Sequence, residues 1–76
     1  AVDKALATVE VLLRSPAPAT AREIAERAGV NRTTAHRLLN ALIRRGWAEK
    51  VSGTSGYRLN LRFLALARLA LDGRDF

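Results

Sequence analysis

The 76-residue sequence predicts a mainly α-helical fold with a small β-hairpin, in the order of a three-helix core, the hairpin and one further helix. Three observations predict it. Apolar residues recur at helical spacing in three segments before Gly46. From Trp47 the spacing changes to strand-like alternation around a turn of Gly, Ser and Thr. After Asn60 the sequence becomes helical again and is largely apolar.

The first helix is predicted over residues 3–14, with Asp3 as its N-cap. Its buried stripe is expected to consist of Leu6, Val9 and Leu13, widened by Ala5 and Leu12. Val11 falls off this stripe, and we expect it to be exposed, as single apolar residues often are. Two prolines in residues 15–18 cannot continue a helix, so this segment is a predicted loop. Ala19 is expected to add a short strand.

The next segment holds two helical patterns joined by a turn at Gly29. Thr20 and Glu23 form the T-x-x-E signature of a capping box at the start of the first. The second begins near Asn31, and Gly46 is its predicted stop. Its buried face, at the spacing i, i+3, i+4, i+7, i+8, is Ala35, Leu38, Leu39, Leu42 and Ile43. A short helix, a tight turn and a second helix are the plan of a helix-turn-helix.

The outer face of the second helix is basic and polar. At ~100° per residue, the positions opposite the buried face are Thr33, Arg37, Asn40 and Arg44, with Thr34 and His36 on the two shoulders. Residues 31–45 contain no carboxylate, whereas a merely solvated helix usually includes Glu or Asp. Guanidinium, amide, hydroxyl and imidazole groups reach phosphates and base edges in the major groove of DNA. This helix is therefore predicted to be the recognition helix.

Residues 47–59 are predicted to form a hairpin, which directly after a helix-turn-helix is the wing of a winged helix-turn-helix. Its strands are residues 47–51 and 57–59, around a turn at residues 52–56. The side chains expected to face the helices are Trp47, Val51, Tyr57 and Leu59. Lys50 and Arg58 are expected to point outward beside the recognition helix, where they would touch the DNA backbone or minor groove.

The last helix is predicted from residue 61 to about residue 71, with Asn60 as its N-cap. It is apolar almost all round, through Leu61, Phe63, Leu64, Leu66, Leu69 and Leu71. Such a helix must be buried on more than one side. We expect this domain to cover one side and a second chain or further domain the other. The predicted division is residues 1–60 for the winged helix-turn-helix and residues 61–76 for a linker and dimerisation helix.

The amino-acid composition limits the classes of function that this protein can have. The formal net charge is +6, and residues 31–58 carry +5 of it, from six basic residues against Glu49 alone. That localisation is typical of nucleic-acid binding. With no Cys and one His, and no catalytic constellation, the sequence predicts no metal, no cofactor and no enzyme. No apolar run approaches the ~20 residues of a membrane span, so the sequence predicts a cytoplasmic protein.

Together these features resemble the N-terminal DNA-binding domain of the IclR-type transcriptional regulators. The resemblance spans nearly the whole chain, through KALATVEVLL, AREIAERAGVNRTTAHRLLNALIRRGW and SGYRLNLRFLALA. Members typically have Pro where Asn31 stands and Gly where Asn60 stands, and Asn is a good cap at both helix starts. The resemblance implies a dimeric regulator of small-molecule metabolism, whose effector binds a larger C-terminal domain that is absent from this sequence.

The predicted function is sequence-specific binding of double-stranded DNA by a bacterial-type transcriptional regulator, as a homodimer on a palindromic operator. Residues 31–45 would lie in the major groove, and the wing at residues 47–59 on the backbone or minor groove. The predicted DNA-contacting residues are Arg32, Thr33, Thr34, His36, Arg37, Asn40, Arg44, Lys50 and Arg58.

Some of these residues have a second interpretation. One of the two threonines could serve only as a cap, and His36 could equally be partly packed. Asn40 could be simply solvated, and Arg44 and Arg45 also complement the dipole at the helix end. Trp47 is expected to pack rather than stack on a base. The alternative function is a winged-helix module for protein contacts without DNA binding, which suits the apolar last helix but not the one-sided basic helix. RNA fits a recognition helix less well than B-form DNA.

Overall fold

A computed structural model describes residues 2–72, apart from the side chains of Ala70 and Leu71. This part of the chain folds into the helices and strands α1 (Val2–Arg14), β1 (Ala19–Thr20), α2 (Ala21–Ala28), α3 (Arg32–Arg44), β2 (Ala48–Lys50), β3 (Gly56–Leu59) and α4 (Leu61–Asp72). The strands form one antiparallel sheet in the order β1-β3-β2. The predicted mainly α-helical fold with a small hairpin is confirmed, and β1 joins the hairpin as a third strand.

Helix α1 turns a different face to the core from the predicted one. Its buried residues are Thr8, Val11 and Leu12, at the spacing i, i+3, i+4. Leu6 and Leu13 are 57% and 54% exposed, so the prediction that they are buried is wrong, as is the prediction that Val11 is exposed; the prediction that Leu12 faces the core is confirmed. The stripe of Val2, Leu6, Val9 and Leu13 lies roughly a third of a turn from the buried face.

The physical reason is that α1 has two apolar arcs, and helical spacing alone does not say which one the rest of the chain covers. Thr8 can enter the core because its hydroxyl donates to the carbonyl of Lys4 at 2.9 Å, which satisfies the buried polar group. Asp3, predicted as the N-cap, lies within the first turn of the helix instead. The more apolar arc of α1 is left facing solvent.

Helices α2 and α3 begin and end at the predicted residues. The Thr20 hydroxyl accepts from the N–H of Glu23 at 3.1 Å, and the Glu23 carboxylate accepts from the N–H of Thr20 at 2.9 Å, which confirms the capping box. Gly29 ends α2 in the left-handed conformation, at φ 71°, which a side chain would strain. Gly46 follows the last turn of α3, also at positive φ. The turn between α2 and α3 is therefore fixed locally.

The core is small and contains many alanines. Its buried apolar cluster is Val11, Leu12, Ala19, Ala21, Ile24, Leu39 and Tyr57. Ile24 of α2 and Leu39 of α3 are fully buried, and so is Ala35. Small side chains at this contact let the two helix backbones approach closely. Because Ala35 and Leu39 face the core, the opposite side of α3 must face solvent.

The sheet register corrects the predicted orientation of the wing side chains. Ala48 lies opposite Leu59, Glu49 opposite Arg58, and Lys50 opposite Tyr57. Directly opposed residues share a face of the sheet, so Lys50 lies on the Tyr57 side and Arg58 on the Glu49 side. The prediction that Lys50 points away from the Tyr57 face is therefore wrong, whereas Arg58 does lie on the opposite face, so the two cations do not share one side of the wing as predicted. A shift of one residue in the assumed alternation moves a side chain to the other face.

Trp47 joins the end of α3 to the start of α4. Its ring lies 5.4 Å from that of Phe63, centroid to centroid, at an interplanar angle of 60°. Its carbonyl accepts from the N–H of Asn60 at 2.9 Å. The side-chain oxygen of Asn60 accepts from the N–H of Phe63 at 3.2 Å, which confirms Asn60 as the N-cap of α4. Trp47 thus packs against α4, whereas the sequence placed it on the helix-facing side of the wing.

Residues 64–69 of α4 are exposed, including Leu64, Leu66 and Leu69, and in the first turn Phe63 is half-buried whereas Leu61 is exposed. Over residues 61–69 the domain therefore does not cover one side of this helix as expected. Leu71, which the sequence also assigns to the apolar surface, lies outside the described side chains, as do residues 73–76 of the predicted linker. In residues 2–72 no helix combines the length and apolarity needed to cross a bilayer.

Candidate nucleic-acid interface

The candidate interface is built on the solvent-facing side of α3. Its exposed residues are Arg32, Thr33, His36, Arg37, Asn40 and Arg44, and Thr34 is half-buried on one shoulder. At ~1.5 Å per residue, these side chains extend over about 16 Å of helix from Thr33 to Arg44. The arrangement follows from the burial of Ala35 and Leu39 on the other side. The surface offers several hydrogen-bond donors and, within α3, no carboxylate.

The start of α3 is held by Asn31. Its side-chain oxygen accepts from the N–H of Thr34 at 2.7 Å, and its carbonyl accepts from the N–H of Ala35 at 2.9 Å. Capping is thus done by Asn31, and neither Thr33 nor Thr34 is needed for it. Both threonine hydroxyls lie in the first turn, where recognition helices usually meet base edges.

A cleft lies between the start of α2, the start of α3 and the wing. It is lined by Thr20, Ala21, Arg22, Arg32, His36, Lys50, Ser55 and Tyr57, and its volume is about 260 Å³. The cleft brings three predicted contact residues together, namely Arg32, His36 and Lys50. Arg32 and His36 belong to α3, and Lys50 belongs to β2. The β2–β3 register places Lys50 on the face of the hairpin that meets α3.

Arg58 lies apart from this group. It lines a different surface, together with Glu49 and the first residues of α4. Its Nε donates to the Glu49 carboxylate at 2.8 Å, and its Nη2 contacts the same oxygen at 2.8 Å. The pairing offsets the charge of Arg58 on that face of the wing. The predicted contact set therefore divides into a main group on α3 with Lys50, and Arg58 on the opposite face of the hairpin.

Five residues of the cleft are outside the predicted contact set: Thr20, Ala21, Arg22, Ser55 and Tyr57. Arg22 looks like one half of an ordinary i, i+4 pair, and its Nε does lie 3.4 Å from Glu26. The available signal was its position, because the first helix of a helix-turn-helix crosses the DNA backbone. Nothing in the sequence shows that this residue shares a cleft with the wing.

No ordered cluster for a metal ion accompanies the site. Within the described part of the chain, no group of three or more His, Cys, Asp or Glu side chains converges. The exposed side of α3 presents cations, hydroxyls and an amide. Such a surface can bind an extended anion and present directional donors to it.

The chain is similar to known DNA-binding transcriptional regulators. Residues 1–52 match the family model of the IclR helix-turn-helix domain. The chain is 32% identical over 69 residues to the DNA-binding transcriptional repressor YiaJ of Escherichia coli, covering 91% of this chain and 24% of that protein. It is 30% identical over 75 residues to an HTH-type transcriptional regulator of Haemophilus influenzae, covering 99% of this chain and 28% of that protein. These relatives are transcriptional regulators and not enzymes.

Solved structures show the same architecture. The crystal structure of HmgR from Pseudomonas aeruginosa superposes with a TM-score of 0.84 at 27% identity, over 97% of this chain and 30% of that one. An IclR homolog from Microbacterium sp. superposes with a TM-score of 0.73 at 28% identity, over 95% of this chain and 29% of that one. The chain spans about a quarter of the length of the curated relatives, 24% and 28%.

Proposed function

The chain belongs to the IclR helix-turn-helix family of DNA-binding transcriptional regulators, and from that premise we propose that it reads a specific double-stranded DNA sequence with α3 in the major groove. The observation that carries this proposal is the one-sided chemistry of α3. Its inner side is buried through Ala35 and Leu39, and its exposed side holds basic and polar groups without a carboxylate. This fits a groove lined by phosphates and base edges.

Within α3, the roles follow from position along the helix. Thr33, Thr34 and Arg32 lie in the first turn and would reach the groove floor or its nearer phosphates. Arg37 lies in the middle of the exposed face, where a bidentate contact to guanine is geometrically favoured. Further along the helix, the proposed contacts are Asn40 and then Arg44, which faces the flanking backbone. His36 lies on the shoulder that faces Lys50 across the cleft.

The wing contributes backbone contacts in this proposal. Lys50 lies on the face of the hairpin that meets α3, so it would bind a phosphate beside the recognition helix. Arg58 would reach DNA only along the other face, and its pairing with Glu49 reduces the charge it offers. We therefore expect Arg58 to contribute less than Lys50. The wing at residues 47–59 would lie on the backbone or in the minor groove.

A homodimer supplies the second half of the site. Two apolar surfaces of this domain are exposed: the stripe of Val2, Leu6 and Leu13 on α1, and Leu61, Leu64, Leu66 and Leu69 on α4. Exposed apolar surface of this extent is typical of an interface between chains. In a two-fold dimer the same patch would be used on both chains, and two copies of α3 would reach half-sites about 34 Å apart, or a multiple of that. The proposed operator is accordingly palindromic.

The remaining expectations concern the whole regulator. The curated relatives are about four times as long as this chain, and we propose that a small-molecule effector acts through a domain that follows α4. We also propose a cytoplasmic location, because a regulator must share its compartment with the DNA it binds. Residues 1–60 would then be the DNA-binding unit and residues 61–76 the linker and dimerisation helix.

Selection of bound sites from random double-stranded DNA tests the proposal. We expect recovery of a short sequence with two-fold symmetry, and binding whose affinity falls steeply with salt concentration. The variant Arg37→Ala is compared with the wild type, because it should relax the preference at one base position while staying folded. Failure to bind any DNA at low salt would overturn the proposal and favour a module for protein contacts. If one chain binds to an asymmetric site, the proposed homodimer is wrong.

A further inference from the structure

Between the start of α2, the start of α3 and the wing lies the cleft described above, and it carries an inference beyond the predicted contacts. We propose that this cleft holds a single phosphate of the DNA backbone, and that Arg22 of α2 is a phosphate-binding residue together with Lys50. The inference rests on the proposed function, since it deepens the way the same surface holds DNA. It adds an element, α2, that the predicted contact set lacks.

The electrostatic argument comes from the residues that line the cleft. Arg22, Arg32 and Lys50 reach it from three different elements, and none of its lining residues is acidic. Cations from separate elements repel each other, and an anion bound between them would offset that repulsion. Helix–helix and sheet packing would be served equally well by neutral side chains at these exposed positions. The convergence therefore indicates a negatively charged occupant.

Hydroxyl groups complete the lining. Ser55 at the tip of the wing and Tyr57 of β3 lie in the same cleft, and both can donate to a phosphate oxygen. At the start of α2 the N–H of Glu23 is already bonded to the Thr20 hydroxyl at 3.1 Å, so that donor belongs to the helix cap and not to the cleft. A phosphate held here would meet charge from the side chains and directional donors from the hydroxyls.

The size of the cleft suits a small anionic group. Its volume of about 260 Å³ is below the ~300–1,000 Å³ of sites that bury drug-sized ligands, and its lining includes three cationic side chains. The cleft is open to solvent, so a phosphate in a continuous backbone can enter it without the rest of the nucleotide being buried.

Two carboxylates of α2 lie near this region and do not block it. Glu23 is not among the residues that line the cleft: its carboxylate accepts from the N–H of Thr20 at 2.9 Å in the capping box and lies 4.0 Å from Arg27, which itself donates to Ser15 at 3.4 Å. Glu26 contacts Arg22 at Nε, at 3.4 Å, and both side chains are exposed. An exposed pair of this kind is weak. The other guanidinium nitrogens of Arg22 carry further donors that a phosphate can use.

A phosphate bound in this cleft would affect how α3 is positioned on the DNA. Contacts to phosphates set the register and orientation of a protein on the duplex, and contacts to bases read the sequence. A phosphate held between α2 and the wing would fix the depth and angle at which the first turn of α3 enters the groove. Arg22 is thus a positioning residue for the base contacts of Thr33 and Arg37, and its loss should weaken binding to all sequences alike.

The test compares Arg22→Gln with Arg27→Gln. The two arginines lie on the same helix, each is exposed and paired with a glutamate four residues away, and only Arg22 lines the cleft. Both variants lose one positive charge. For Arg22→Gln we expect the slope of log K against log salt to become less steep by about 0.9. The affinity lost between 0.05 and 0.2 M salt should shrink by about 3.5-fold, with no change in the preferred sequence. Arg27→Gln should change the slope by much less.

A second measurement locates the phosphate. On a selected site, each backbone phosphate is replaced in turn by a neutral methylphosphonate, and binding of the wild-type chain and of Arg22→Gln is compared. We expect one position at which neutralisation weakens the wild type but leaves the variant unaffected, because both changes remove the same contact. Equal slopes for the two arginine variants, or no such coupled position, would overturn the inference.

These outcomes separate the inference from the function on which it rests. If the wild-type chain binds no DNA, the proposed function is wrong. If the wild type binds DNA but Arg22→Gln and Arg27→Gln change the salt slope equally, only the assignment of a phosphate to the cleft is wrong. Free inorganic phosphate is the other source of the same anion. If it perturbs the amide resonances of Ala21, Arg22 and Ser55 while a DNA duplex does not, the cleft serves a free anion, and the assignment to the DNA backbone is wrong.

Discussion

The guanidinium of Arg58 contacts one carboxylate oxygen of Glu49 through both Nε and Nη2, each at 2.8 Å, across the β2–β3 ladder. The two residues are direct partners in that ladder, and the neighbouring pair is Lys50 with Tyr57. Consecutive pairs point to opposite faces of a sheet. The two outward cations of the wing therefore occupy different surroundings, and only Lys50 shares a cleft with α3.

This difference predicts unequal effects of two wing variants. Lys50→Ala should make the slope of log K against log salt less steep by about 0.9, because one phosphate contact is lost. Arg58→Ala should reduce the slope by less, since Glu49 already offsets its charge. Fluorescence anisotropy on one duplex at several salt concentrations measures both. Equal slopes for the two variants would mean that both faces of the wing meet DNA.

Arg37 is predicted to read a base. Replacing it with Ala should cost about 1–3 kcal/mol on the selected site and relax the preference at one base position, since a bidentate contact is lost. The control is Arg45→Ala, which removes the same charge at the C-terminal end of α3, where Arg45 is the C-cap. Competition with single-base variants of the site is the measurement. A uniform loss on every sequence would reassign Arg37 to a phosphate.

Gly56 is required by the close approach of two segments. A Cβ built there would lie 2.5 Å from the Cβ of Pro18 and 3.1 Å from its carbonyl carbon. Gly56→Ala should therefore lower the free energy of unfolding by about 1–3 kcal/mol, through strain in the β1–β3 pairing. Urea denaturation measures it, with Ser52→Ala in the exposed turn as the control. Unchanged stability would show that the loop at Pro18 moves aside easily.

The exposed face of α4 is predicted to join two chains. Leu66 and Leu69 are 43% and 66% exposed, so Leu66→Glu or Leu69→Glu should leave the monomer folded and weaken its association. Arg68→Gln changes the net charge by the same amount without removing an apolar side chain, and it should have little effect. Sedimentation equilibrium, with and without the selected duplex, gives the association constants. Unchanged association in both leucine variants would exclude this face of α4 from the dimer.

The capping box of α2 should make stability depend on pH. The backbone N–H of Thr20, its hydroxyl and then Arg27 hold the pKa of Glu23 below its ordinary value of 4.5. A carboxylate with a lowered pKa in the folded state stabilises it above the ordinary pKa, and that contribution is lost as the pH falls through the lowered value. The wild type should therefore lose more stability in acid than Glu23→Gln does. Glu26→Gln, outside the cap, should behave like the wild type in acid denaturation followed by circular dichroism.

The local elements of this protein could be predicted from its sequence. The capping box at Thr20, the turn at Gly29, the cap at Asn31 and the stop at Gly46 each depend on residues a few positions apart. The inner and outer sides of α3 also followed from spacing, because a regular helix fixes the angle between its residues. Ile43 is the exception: it was predicted in the buried face and is 38% exposed. These features led to the helix-turn-helix, to the wing and to the family.

The relationships between elements could not be predicted in this way. In α1 the spacing identified apolar arcs, but only the packing against α2 and α3 shows that Val11 is buried and Leu6 exposed. In the wing a shift of one residue separated Lys50 from Arg58, because the register is set by how the turn closes and not by composition.

The place of Arg22 in the site could not be predicted from the sequence either. Along the chain it is an exposed arginine with a glutamate partner four residues away, and the sequence gives it no role beyond that pair. In the folded domain Arg22 shares a cleft with Lys50, which lies 28 residues later in the sequence. Local hydrogen bonds and helix periodicity are determined by neighbours in sequence. Which charges converge on one phosphate depends on the crossing of helices and the pairing of strands, and the tertiary structure alone decides that.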